Sequence, residues 1–195
     1  QFIAKYNKLV AIFGSGKMSP ASIHYSLARK LANKLGKEGF GIVTPGGGGI
    51  MEAANRGAVE AGAVSIGLDR TSEEEPRMNK YVSKGLLFHY LFTRKVILSL
   101  SSQAYVFFPG GYGTLDEFFS LLVLVQAGKI DKMPIILVGK DFWQPLVDFI
   151  EKELYVRNQT VDKVDMDMFQ IIDDFDSIYK IVKASKQREG GQFIN

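Results

Sequence analysis

The stretch Pro109-Gly110-Gly111-Tyr112-Gly113-Thr114-Leu115-Asp116-Glu117 brings three glycines, a hydroxyl and a carboxylate into nine residues. It follows the apolar run Ala104–Phe108 and precedes a helix-length segment. It therefore reads as a turn that opens a helix and holds a phosphate. Gly110, Gly111 and Gly113 permit positive φ and a close backbone approach, and Thr114 places a hydroxyl at the expected helix start. Glu117 has two readings. It is either a catalytic carboxylate or the closing residue of a capping box, bonded back to the Thr114 N–H.

Two more glycine turns follow apolar runs. Gly14-Ser15-Gly16 begins like a dinucleotide-binding fingerprint, but Ser19 stands where the third glycine belongs. No acidic residue ends the next strand to hold a ribose hydroxyl, so NAD is not expected. The Walker pattern also fails, with Ala11 at its first glycine and no Gly-Lys-Ser/Thr sequence. Gly14 and Ser15 either touch a ligand or form a tight strand-to-helix connection. In Gly46–Gly49 the run of glycines removes side chains from a helix entrance, so that the backbone at Gly47 and Gly48 can approach an anion. The alternative there is a flexible turn. Arg94-Lys95 is either a solvated pair on an amphipathic helix or a pair emerging at a pocket edge between the apolar flanks 88–92 and 96–100. His89 and Tyr90 read as packing or surface residues, and Glu73-Glu74-Glu75 as a solvated run.

Positioning these turns requires alternating strands and helices. Val10–Phe13, Gly39–Val43, Val64–Leu68, Ala104–Phe108 and Pro134–Val138 are strand-length apolar runs. Helices are expected near 20–37, 50–61, 91–101, 114–126, 143–154 and 174–184, and the polar stretch 69–85 as a loop. The Ala-rich segment 50–61 suits a helix packed close to a sheet. This alternation implies an α/β fold: a Rossmann-like, doubly wound parallel sheet with helices on both faces. In such sheets ligands sit beyond the carboxyl ends of the strands, where the strand order switches, so the three glycine turns are candidates to line one crevice. Residues 1–185 are expected to form a single nucleotide-binding domain, and 186–195 a frayed tail.

The bulk composition narrows the classes further. The chain has 195 residues, 46% hydrophobic and 23% charged, with a net charge of +3. That charge makes no case for duplex nucleic acid, whose footprint is clustered Lys and Arg. Without cysteine there are neither disulfides nor thiolate metal sites, and the two histidines, His24 and His89, suggest no metal cluster. No apolar run reaches the roughly 20 residues that span a bilayer. Gln1 to Val10 lack the pattern of a signal peptide. A cytoplasmic location is expected.

Pro109–Glu117 matches the Pro-Gly-Gly-x-Gly-Thr-x-x-Glu signature of the LOG (Lonely Guy) family, earlier labelled lysine decarboxylases. Phe92-Thr93-Arg94-Lys95 resembles the family's Arg-Lys element, and Pro45 to Ala58 its earlier glycine turn and helix. The resemblance covers residues 8–182. It implies a nucleoside 5′-monophosphate phosphoribohydrolase that releases free base and ribose 5-phosphate from AMP or cytokinin riboside monophosphates. It further implies homodimers or larger assemblies, with neither cofactor nor metal. Arg94 and Glu117 would be catalytic. Gly110, Gly111, Tyr112, Gly113 and Thr114 would hold the phosphate, Lys95 would neighbour the ligand, and Glu75 would bind substrate. Leu91-Phe92 departs from the Met-His of plant members, and Phe88-His89-Tyr90 resembles a bacterial branch instead. A pyridoxal phosphate decarboxylase is not supported, because nothing marks a Schiff-base lysine with its acidic partner. The competing reading is a non-catalytic binder or carrier of a nucleotide or phosphorylated cofactor such as molybdenum cofactor, which would not need the Arg94 and Glu117 pair.

Overall fold

The computed structural model describes residues 3–70 and 78–187. Its seven strands are β1 (Leu9–Phe13), β2 (Gly41–Thr44), β3 (Ser65–Arg70), β4 (Lys84–Phe88), β5 (Ala104–Phe107), β6 (Ile135–Leu137) and β7 (Gln170–Ile171). They form one sheet in the order β4-β3-β2-β1-β5-β6-β7, with every neighbouring pair parallel. The expected doubly wound parallel sheet is what the chain adopts.

Parallel strands joined by crossover helices are covered on both faces, so their sequences are apolar throughout rather than alternating. β1 is buried at all five positions. Val10 and Ile12 point into one core and Leu9, Ala11 and Phe13 into the other. The first core is roofed by α1 (Ile23–Lys37), α2 (Ile50–Glu60) and α7 (Phe175–Ala184). The second lies under α3 (Leu91–Leu100), α4 (Tyr112–Gln126) and α5 (Lys140–Phe149). Leu31 and Leu35 of α1 are fully buried, with Leu27 packed beside them. α2 does pack closely, with Ala53, Ala54 and Ala58 fully buried. A Cβ on its Gly57 would collide with the Arg29 carbonyl of α1.

Several expectations need correction. The stretch 69–85 is not all loop: β3 runs to Arg70, and Lys84 begins the edge strand β4. An edge strand pairs on one side only, and Lys84, Gly85 and Leu87 are exposed, which hid it from an apolar-run reading. α1 starts at Ile23 rather than near Pro20, because Ser22 caps it by accepting from the His24 N–H. α5 begins at Lys140, not Trp143, and continues past Phe149 in wider π turns over Ile150–Arg157. The short helix α6 (Lys163–Met166) and strand β7 were not anticipated. Residues 188–195, most of the expected tail, lie outside the described residues, as do Glu73, Glu74 and Glu75.

Candidate functional site

After β1 the chain builds β2, β3 and β4 on one side, then returns to lay β5 on the other side of β1. The switch in strand order therefore falls at β1. The three glycine turns leave the carboxyl ends of β1, β2 and β5, three adjacent strands. Ser15 ties them together through its backbone. Its N–H donates to the Pro109 carbonyl at 3.0 Å, and its carbonyl accepts from the Ile50 N–H at 3.1 Å. Its hydroxyl accepts from the Lys17 N–H at 3.1 Å. Gly14 touches Ile50 so closely that a Cβ would meet that side chain at 2.8 Å. Gly49, at φ 59°, would drive a Cβ into the Ser15 carbonyl. Glycine is thus required at 14 and 49 by the junction itself.

The third turn differs in detail from its reading in the sequence. None of Gly110, Gly111 and Gly113 has positive φ, so conformational freedom is not their reason. A Cβ on Gly110 would collide with Thr114, whereas Gly111 and Gly113 face open space. α4 begins at Tyr112, with Gly111 as its N-cap and no side chain capping it. Its first internal bond is from the Leu115 N–H to the Gly111 carbonyl, 3.1 Å. The N–H groups of Tyr112, Gly113 and Thr114 are consequently outside the helix ladder. Tyr112 is 93% exposed, so its side chain stands off the turn and its backbone is what the turn uses. α2 is likewise uncapped by any side chain at Gly49. Two helix N-termini, each with positive partial charge, open onto the junction.

Because Thr114 is already inside α4, it is not the N-cap, and the capping-box reading of Glu117 fails. Glu117 is instead 4% exposed and accepts from Arg94 Nη2 at 3.2 Å. Burial pushes its carboxyl above the usual carboxylate range, opposed chiefly by the Arg94 charge. Arg94 is on α3, which packs against α4, and its Nε is buried without a hydrogen-bond partner among the described residues. One residue on, Lys95 Nζ donates to Asp116 Oδ1 at 2.8 Å. Two adjacent ion pairs therefore join α3 to α4. Arg94 is drawn out of solvent, whereas the Lys95–Asp116 pair lies at the exposed surface.

Two asparagines also shape the site. Asn55 on α2 is fully buried and accepts from Thr44 Oγ1 at 2.7 Å while donating to Ser65 Oγ at 2.8 Å. Asn79 reaches Asn55 and the second glycine turn. Asn55 could have been noticed as an amide on an otherwise apolar helix face. Asn79 carried no local signal, since its partners Gly46 and Gly47 lie more than thirty residues away.

Comparisons with known proteins span most of the chain. A family model described as "Possible lysine decarboxylase" matches residues 51–182. The chain is 27% identical over 146 residues to the probable cytokinin riboside 5′-monophosphate phosphoribohydrolase LOGL2 of Oryza sativa subsp. japonica, an alignment covering 73% of this chain and 59% of that protein. It is 27% identical to the cytokinin riboside 5′-monophosphate phosphoribohydrolase LOG3 of Arabidopsis thaliana, covering 76% of this chain and 70% of the relative. In fold it is similar to the molybdenum cofactor binding protein of the phototrophic bacterium Rippkaea orientalis, with a TM-score of 0.68 and 18% identity, covering 91% of this chain and 96% of the other.

Proposed function

The chain belongs to the family described as possible lysine decarboxylases, the LOG family, and from that premise we propose that it hydrolyses the N-glycosidic bond of a nucleoside 5′-monophosphate. Water adds its hydroxyl to the anomeric carbon, its proton goes to the departing base, and ribose 5-phosphate remains. The single observation that carries the reading is the buried Arg94–Glu117 pair beside two uncapped helix N-termini. A pure binder has no need of a carboxylate held out of water against a cation.

Breaking a ribose–base bond develops positive charge on the sugar, as in glycoside hydrolysis. Glu117 would stabilise that charge or orient the attacking water. A preorganised charge in a water-poor site contributes on the order of 3 kcal/mol. Arg94 would hold the sugar oxygens or the departing base with its planar fork. The phosphate would lie on the N–H groups of Tyr112, Gly113 and Thr114, with Gly111 and Gly113 leaving room for it. Gly47, Gly48, Gly14 and Ser15 would complete the cradle, with Lys95 at its edge. Glu75, in the segment not described, remains assigned to substrate binding only by the family resemblance.

A second copy of the chain is proposed to pack on α3 and α4. Phe92 and Val96 on α3, and Phe119 and Val123 on α4, are exposed apolar residues at i, i+4 spacing on two helices that touch. Exposed apolar side chains on two touching helices support such an interface. The reaction needs no membrane, and no described helix is long and apolar enough to cross one. A cytoplasmic site of action fits both.

Incubating the protein with a panel of nucleoside monophosphates, AMP and cytokinin riboside monophosphates included, tests the reading. Free base is expected from at least one. Binding without release from any would move the carrier reading, for a nucleotide or for molybdenum cofactor, ahead of it.

A further inference from the structure

The second glycine turn is held from behind by one side chain. Asn79 Nδ2 donates to the Gly46 carbonyl at 3.0 Å and to the Gly47 carbonyl at 2.8 Å. The backbone N–H of Asn79 donates to the same Gly46 carbonyl at 2.8 Å. The amide is oriented by its chemistry, because Oδ1 accepts from the Tyr81 N–H at 3.0 Å and Nδ2 alone can donate to carbonyls. Nδ2 also lies 2.9 Å from Asn55 Oδ1, so its two hydrogens are shared among three acceptors, and this links Asn79 to the buried Thr44–Asn55–Ser65 chain.

The consequence follows from the peptide plane. All peptide bonds described are trans, so each carbonyl points opposite to the N–H of the next residue. Fixing the carbonyls of Gly46 and Gly47 toward Asn79 turns the N–H groups of Gly47 and Gly48 the other way. Neither N–H has a hydrogen-bond partner among the described residues. The Ile50 N–H, two residues further on, is already given to the Ser15 carbonyl.

We infer that Asn79 is a positioning residue that holds the Gly47 and Gly48 N–H groups toward the phosphate end of the substrate. This deepens the phosphoribohydrolase reading and rests on it. The turn is rich in glycine and would otherwise sample many orientations; Asn79 selects one before the ligand arrives.

Steady-state kinetics and inhibition with the full chain test the inference. Asn79→Ala is expected to raise KM for a hydrolysed nucleoside monophosphate, and the inhibition constant of ribose 5-phosphate, by at least about tenfold, the scale of losing two oriented donors. Inhibition by the free base, which lacks a phosphate, stays unchanged. A purely structural role would weaken free base and ribose 5-phosphate alike, and that result overturns the inference, as does unchanged ribose 5-phosphate inhibition. Should Asn79→Ala not fold, Asn79→Ser keeps one donor and is read the same way. A wild-type chain that neither releases base nor binds ribose 5-phosphate overturns the reading above, and this inference with it. A wild type that does both beside an unaltered variant overturns this inference alone.

Discussion

Glu117 is only 4% exposed and its charge is opposed by burial and supported by Arg94. Its folded pKa is raised, so its contribution to stability is full below its unfolded value and is lost as pH rises through the folded one. Glu117→Gln cannot ionise and escapes that loss. Denaturant titrations from acid to neutral pH are expected to show wild type losing stability relative to the variant across the rise. Base release by the same variant should fall by about a hundredfold or more, since one electrostatic group in such sites contributes on that scale. Arg94→Ala removes the main influence holding the Glu117 carboxyl down. Carbon-13 NMR titration should find that carboxyl moved further up, and leaving the buried Glu117 without its cation should lower stability by about 3 kcal/mol at neutral pH.

Helix α4 shows how a local pattern can be right in place and wrong in role. Its Thr114-Leu-Asp-Glu117 sequence fits a capping box, yet the helix starts two residues earlier and Glu117 turns to α3. The residue type and position were legible locally; the partner Arg94, twenty-three residues away, was reachable only through the family resemblance. The same is true of α5, whose start is capped by Asp173 accepting from the Gly139 and Lys140 N–H groups at 2.6 and 3.1 Å. A cap supplied from so far along the chain leaves no local signature. By contrast β1 and β5 were plain in the sequence, because burial on both faces forces an unbroken apolar run. Gly113 yields a sharp prediction at this scale. It lies in the first turn of α4 with open space where a Cβ would be. Gly113→Ala should stabilise the fold, by up to about 1 kcal/mol from helix propensity. If the phosphate approaches there, KM for the nucleotide rises in the same variant. Thermal melts and kinetics on one preparation separate the two effects.

Across the whole molecule, the parallel sheet covered on both faces and the glycine turns were the readable features, because both follow from apolar runs and the punctuation between them. The edge strand β4 and the proposed assembly surface were not, since neither is marked by burial within one chain. The exposed stripe of Phe92, Val96, Phe119 and Val123 is where a second copy is expected. Phe92→Glu and Val123→Glu together should give a monomer by light scattering, at any concentration where wild type is a dimer. Because the stripe includes α3, which carries Arg94, that monomer is also expected to release base more slowly.

The Ser15 N–H bonds to the Pro109 carbonyl and the Ser15 carbonyl to the Ile50 N–H, all within the chain's own backbone. A junction of this kind has already lost its conformational entropy during folding. Calorimetry should then register nucleotide association with a small entropic penalty, and a heat-capacity change no larger than the apolar area the ligand itself covers.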